Sequence, residues 1–187
     1  MKVKTFDILE TLIEKYESKN NVQGIVYKLS YAGKYVIIKG ATLVGSLKII
    51  NNAYKQYDPK NERFSAHLYG HLFSHLFKTE DLGRFRIKTL AKLNSKISQY
   101  KLLKREQMEL DKARYDTNCL NNNIEAYIPI YNKNTHSFGW IDTSAVGNFK
   151  KYLQSKEREA YLKRYVKKPQ QAPTKHGLSR KPLARHA

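Results

Sequence analysis

Three histidines, His67, His71 and His75, stand at i, i+4 and i+8, which on a helix places them along one stripe. Two imidazoles so spaced can hold a metal ion. No carboxylate or cysteine joins them within that segment, and Leu68, Tyr69, Leu72, Phe73, Leu76 and Phe77 supply a full apolar face beside them. The stripe therefore reads as the border of a buried helix or a subunit contact before it reads as a metal site. A second pattern lies near the C-terminus, where Tyr152, Tyr161 and Tyr165 interleave with Lys150, Lys151, Lys156, Arg158, Lys163 and Arg164. Cationic heads neutralise phosphates, and aromatic planes accept stacked bases. Equally, the tyrosines can pack on a domain while the lysine heads face water. Beyond Val166 come Lys167, Lys168, Lys175, Arg180, Lys181 and Arg185, with Pro169, Pro173, Pro182 and no acid. Such a stretch cannot build a core, and it reads as an extended arm that binds along another chain or a nucleic acid.

The whole composition points the same way. Lys and Arg number 35 against 16 Asp and Glu, a formal net charge of +19. So large an excess repels itself unless a polyanion lies nearby: nucleic acid, a membrane surface or an acidic protein. Nucleic acid, DNA in the first instance, fits the aromatic interleaving. No apolar run reaches the roughly 18 to 20 residues of a membrane span, and the first helix-like stretch carries Asp7, Glu10 and Glu14, so neither a span nor a secretory signal is read and no membrane partner is expected. Cys119 is the only cysteine. It has no internal disulfide partner and suggests a reducing compartment or simply a fold that needs no bridge. The expected location is intracellular or cytoplasmic, or within a virion.

The elements that must position these residues follow from periodicity. With 187 residues the economical reading is one compact domain plus an extension. Phe6, Leu9, Leu12, Ile13 and Tyr16 oppose Asp7, Glu10, Glu14 and Glu17, which predicts an amphipathic helix over 5–18. Two β-rich runs, 24–29 and 34–39, flank Gly33 as a hairpin would. Leu43, Leu47, Ile50 and Tyr54 predict a second helix, stopped before Asp58-Pro59. A third helix is expected over 62–77. In 84–90 Phe85 and Ile87 alternate with Arg86 and Lys88, predicting a third strand with a basic exposed face. A long helix over 95–113, turn-rich residues 116–123, an extended edge segment over 126–131 marked by Pro129, a short strand at 139–141 and one basic helix over 147–166 complete the chain. The fold class expected is α/β (α+β): a small three-stranded sheet flanked by helices, with a basic helical and extended C-terminal arm. The divisions are an N-terminal helix in 1–23, the domain in 24–145, the basic helix in 146–166 and the tail in 167–187.

Within this frame Gly24-Ile25-Val26-Tyr27-Lys28-Leu29, followed by Gly33-Lys34-Tyr35-Val36-Ile37-Ile38-Lys39-Gly40, resembles the opening of the GIY-YIG nuclease domain. Leu102-Leu103-Lys104-Arg105-Glu106-Gln107-Met108-Glu109-Leu110-Asp111-Lys112, then Asp116-Thr117-Asn118-Cys119-Leu120-Asn121, is similar to that family's glutamate helix and asparagine-bearing loop. The resemblance covers about 24–125 and implies a small layered α/β domain. It also implies a hairpin tyrosine that helps activate water, a helix glutamate that holds a divalent metal, and a first-helix arginine that stabilises the attacked phosphate. Carried over, Tyr27 matches the first tyrosine, Glu106 the metal ligand, and Asn121 or Asn122 the loop position.

The remaining positions depart from the family pattern. Its second tyrosine falls on Val36, with Tyr35 as a substitute from the opposite face of the strand, and its closing glycine falls on Ile38. No arginine precedes Arg63, which leaves Lys48 or Lys55 on the helix, or Lys39 on the strand. Lysine neutralises a phosphate as a point charge, without the planar fork of arginine. Without the resemblance, Tyr27 reads as strand packing, and Glu106, between Leu103 and Leu110, as a salt-bridge partner for a lysine at the domain edge.

The expectation is a structural or binding component of a nucleic-acid-containing assembly, oligomeric and needing no cofactor. A bacteriophage virion connector or tail ring protein with a catalytically degenerate GIY-YIG-like fold would suit it. Its contacts would be Lys39, Lys55, Lys151, Lys163, Arg164, Lys167, Lys168, Arg180, Lys181 and Arg185. The alternative is a divergent magnesium-dependent endonuclease built on Tyr27, Tyr35, Lys48, Glu106 and Asn121, with Glu106 as metal ligand. A ribosome- or RNA-associated factor is a third reading.

Overall fold

Positive backbone angles at Ala32 (φ 45°) and Gly33 (φ 77°) reverse the chain between β1 (Ile25–Tyr31) and β2 (Lys34–Gly40). Two consecutive residues in this region form the tight loop whose twist suits a right-handed hairpin. The computed structural model describes residues 2–17, 24–61, 68–79, 85–93 and 98–166. Helix α1 (Lys2–Glu17) precedes the hairpin; α2 (Leu43–Lys55), α3 (Gly70–Lys78), β3 (Arg86–Lys92) and α4 (Gln99–Ala113) follow it. A second set of short strands, β4 (Tyr131–Asn132), β5 (Ser137–Phe138) and β6 (Ile141–Asp142), leads to α5 (Thr143–Leu153) and α6 (Lys156–Tyr165). The chain is thus α+β, with two small antiparallel three-stranded sheets, ordered β2-β1-β3 and β4-β5-β6, and six helices among the described residues. None of these helices is long and apolar enough to cross a membrane.

The pleat divides the first sheet into two apolar faces. Ile25, Tyr27, Leu29 and Tyr31 of β1, with Val36 and Ile38 of β2, pack against Leu9 and Ile13 of α1, Leu47, Ile50 and Tyr54 of α2, and Phe73 of α3. Val26, Tyr35 and Ile37 pack on the other face against Leu102, Leu103 and Leu110 of α4 and Phe149 of α5. Leu47 and Ile50 are at most 1% exposed, and burying each contributes about 1.5 to 3 kcal/mol. Thr42 starts α2, its Oγ1 accepting a hydrogen bond from the Gly45 amide at 3.0 Å. Close packing fixes Gly40 at the end of β2: a Cβ there would lie 2.7 Å from the Ser46 Cβ.

Several expectations are corrected. Where one sheet was expected there are two, because the turn-rich stretch after Asn132 folds into a meander of two-residue strands. The N-terminal helix is present as α1, and its Leu9 and Ile13 join the core on α2. Residues 126–130 form no strand. Ala126 is instead tied down by its amide, which donates to the Gln107 Oε1 at 2.9 Å. The single basic helix over 147–166 is two helices. Asp142 caps α5 by accepting from the Ala145 amide at 2.6 Å, and Ser155 opens α6 by accepting from the Arg158 amide at 3.2 Å. The expected helix start over 62–67, the start of the long helix over 95–97 and the whole tail over 167–187 lie outside the described residues.

Candidate functional site

The buried stripe of α4 is not apolar throughout: Leu102, Leu103, Glu106, Gln107, Leu110 and Asp111 all face inward. Burying a charge costs several kcal/mol unless it is paired, and each polar member has a partner. Glu106 meets Lys39 of β2, whose Nζ donates to its Oε2 at 2.7 Å. Only 5% and 6% of these two side chains are exposed. A second bond from the Lys39 Nζ reaches the Tyr127 carbonyl at 2.5 Å. Burial pushes the Glu106 carboxyl up from its ordinary value, and the Lys39 ammonium opposes that shift. Gln107 donates to the Asp111 Oδ1 and to the Ile124 carbonyl, both at 3.0 Å. Asp111 also receives Arg158 of α6 through both Nε (3.1 Å) and Nη2 (3.0 Å).

On the opposite sheet face the Tyr27 side chain is fully buried, its hydroxyl 2.8 Å from the Ser46 Oγ. Burial raises its pKa well above the usual phenol value, so it stays neutral. The Ser46 hydroxyl in turn donates to the Leu43 carbonyl at 2.8 Å. Tyr69, just before α3, bridges the two faces at the β2 edge. Burial raises its pKa, and after burial come the fields of Tyr27 and Glu106. A cavity of about 480 Å³ opens beside this group, with Lys39, Thr42, Ser46, Tyr69, Tyr127 and Trp140 among its lining residues.

The residues singled out in the sequence therefore separate. Tyr27 and Glu106 point from opposite faces of the sheet. Tyr35 does not replace the missing second tyrosine: it lies on the α4 face, and its hydroxyl donates to the Asp116 Oδ2 at 2.7 Å. Burial and that bond raise the Tyr35 pKa, while the same bond holds the Asp116 carboxyl below its ordinary value. Lys48 is exposed and pairs with Glu17 at 2.5 Å, and Lys55 pairs with Glu10. Asn121 acts as a strand substitute. Its Oδ1 accepts from the Ile37 amide at 2.7 Å, and its Nδ2 donates to the Ile37 carbonyl at 2.8 Å. Lys39, expected to contact nucleic acid, is instead committed to Glu106.

Of the other cations, Lys151, Lys163 and Arg164 are exposed, although Lys163 also pairs with Glu159 at 2.7 Å. Lys167, Lys168, Arg180, Lys181 and Arg185 lie outside the described residues, as does His67. His75 ties α3 to β1, its Nε2 lying 3.1 Å from the Tyr31 carbonyl. A hard divalent cation such as magnesium needs several oxygen ligands. Glu106 brings one carboxylate already matched by an ammonium, and among the described residues no three His, Cys, Asp or Glu side chains gather for a metal. The residues present do not fit that ion.

Sequence reasoning missed Gln107, Asp111, Ser46 and Tyr69, and it read Arg158 as one of the basic helix's outward cations where the structure buries it on Asp111. The signal for the first two was present: the pairs 102/103, 106/107 and 110/111 repeat every four residues, so the apolar stripe of α4 runs straight through polar positions. What the arrangement can do chemically is hold the β2 edge, α4 and the 124–127 segment together. Within it Glu106 is paired with Lys39, and Tyr27 with Ser46, both away from solvent. Compared with known proteins, the chain matches no family model, no curated protein and no solved structure.

Proposed function

We propose that the chain is a nucleic-acid-binding structural component of a larger assembly and not a working nuclease. One observation carries this reading: the glutamate and tyrosine that a GIY-YIG-like chemistry would need are committed inside the fold to Lys39 and Ser46, while the cationic excess of +19 lies largely elsewhere. Lys150, Lys151, Lys163 and Arg164 are exposed on α5 and α6, and Arg164 stands 5.3 Å from the ring centroid of Tyr165, itself 51% exposed. Such a surface recognises phosphates through charge and leaves aromatic planes available to bases.

The test is binding of labelled DNA and RNA oligonucleotides across a salt series, with cleavage of the same substrates followed in magnesium and in manganese. Affinity should fall steeply with salt because each phosphate contact releases counterions, and the substrates should stay intact for the parent and for Glu106→Ala alike. Cleavage by the parent that Glu106→Ala abolishes would replace this reading with the endonuclease. Salt-independent behaviour would point to a protein partner.

A further inference from the structure

On the sheet face that carries α4, the helix lies over β2 and β1, where Val26, Tyr35 and Ile37 are buried. Leu90 and Ala91 of the outer strand β3 still pack against this core, but its first half is left to solvent: Arg86 and Lys88 are both exposed. The antiparallel register sets Lys88 directly opposite Lys28, and Arg86 opposite Ser30 on the same face. The Lys28 Nζ stands 3.3 Å from the centroid of the Tyr35 ring, which holds the ammonium at the sheet surface. Among the described residues, none of the ion pairs includes Lys28, Arg86 or Lys88. Asp116, the carboxylate that Lys28 faces, is engaged by the Tyr35 hydroxyl. Like charges directly opposite each other on an antiparallel pair are destabilising. This sheet keeps two lysines in that relation, with an arginine one pleat away.

We propose that this open face is a phosphate-contact surface, with Lys28, Arg86 and Lys88 taking successive phosphates of a nucleic-acid strand laid across β1 and β3. The assignment rests on the nucleic-acid reading of function and names the surface. Lys28 and Lys88 share one face of paired strands, so a phosphate backbone laid across β1 and β3 meets both cations. Several cations fixed on a rigid strand suit a repeating polyanion better than a single small anion, because each phosphate neutralised adds its own counterion release. The Tyr35 ring holds the Lys28 ammonium in place, so little side-chain freedom is lost there on binding.

The experiment compares the full chain with two variants of equal charge. One is Lys28→Gln/Arg86→Gln/Lys88→Gln; the other is Lys151→Gln/Lys163→Gln/Arg164→Gln on the C-terminal helices. Fluorescence anisotropy with labelled single- and double-stranded oligonucleotides between about 50 and 200 mM salt gives affinity and salt slope. The sheet variant should bind at least about tenfold more weakly than the helix variant, with a log–log slope smaller than the parent's by about 2 to 3. Without nucleic acid Lys88→Gln should melt no lower than the parent at low salt, since it removes a like charge opposite Lys28 and leaves the Lys28–Tyr35 contact in place. The single substitution Lys88→Gln, which disturbs packing least, should already lower the slope by about 1. A parent that binds while the sheet variant and Lys88→Gln bind with unchanged affinity and slope would overturn this surface and leave the functional reading standing. A parent that binds no nucleic acid at low salt would overturn both.

Discussion

Lys39 and Glu106 meet at 2.7 Å although they lie 67 residues apart in the chain, and the strand and helix that carry them hide nearly all of both charges from water. Removing one partner strands the other. Lys39→Met should cost about 3 to 5 kcal/mol of unfolding free energy, and adding Glu106→Gln should recover much of that loss. Urea unfolding of the two single variants and the double variant measures it; additive losses would show that the pair is not coupled.

The same variant should change how stability depends on pH. Burial raises the folded-state pKa of Glu106, with Lys39 opposing, so without Lys39 the rise is larger. A group whose folded pKa lies above its unfolded value favours the fold at acid pH and loses that contribution as pH climbs through the folded pKa. Lys39→Met should therefore be nearest the parent in stability below the ordinary carboxyl range and fall behind as pH rises. A constant gap across pH would mean that the lost stability has another origin.

Arg158 holds α6 to α4 through two bonds to an Asp111 that is 0% exposed. Arg158→Met should cost about 1 to 3 kcal/mol by leaving that carboxylate with only Arg114, at 3.3 Å, and Gln107 as partners, and Arg158→Lys should recover only part, because a lysine cannot make the forked contact. Amide exchange in residues 156–165 should quicken in both variants, more in the first. Unchanged protection there would remove the pair from its role in docking α6.

Tyr35 donates to Asp116 at 2.7 Å and is the largest cause of that carboxyl's lowered pKa. A depressed carboxyl stabilises the fold above the unfolded pKa and ceases to do so as pH falls through the folded value. In Tyr35→Phe the Asp116 titration followed by NMR should move up toward the ordinary carboxyl range, and the acid side of the stability profile should flatten. An Asp116 titration that does not move would assign the shift to the Asn118 amide, which donates to its Oδ1 at 2.9 Å, and then to Lys28 and Lys34.

Ala32 occupies the left-handed region at φ 45° in the β1–β2 turn, where L side chains are strained. Ala32→Gly should raise stability by about 0.5 to 1 kcal/mol, the relief of strain exceeding the added freedom of the unfolded chain. A lower melting temperature would indicate that the turn relaxes in solution.

The hairpin, α2 and the basic strand were legible because each rests on local pattern: alternation around Gly33, apolar residues at 43, 47, 50 and 54, and Arg86 and Lys88 against Ile87. The break between α5 and α6 was hidden by continuous helical spacing and becomes evident only once Ser155 is seen capping and Arg158 is seen bound to Asp111. The convergence of Tyr27 with Glu106 failed for a related reason. Sequence order places the hairpin before the glutamate helix, but it does not say which face of the sheet the helix covers; that choice is made by the long-range packing of Leu102, Leu103 and Leu110 on Val26 and Ile37.

The two margins of the first sheet end differently, and this bears on how the chain avoids sticking to itself. At β2 the Asn121 amide occupies both backbone groups of Ile37, and the Tyr35 amide and carbonyl are taken by Asn118 and Leu120. No unpaired ladder is offered there to a strand from another molecule. At β3, the other margin, the guard is charge: a second copy approaching edge to edge would bring Arg86, Lys88 and Lys92 against their own counterparts. Dense polyanion or high salt would mask that repulsion, so β3 is the margin at which concentrated protein should begin to self-associate.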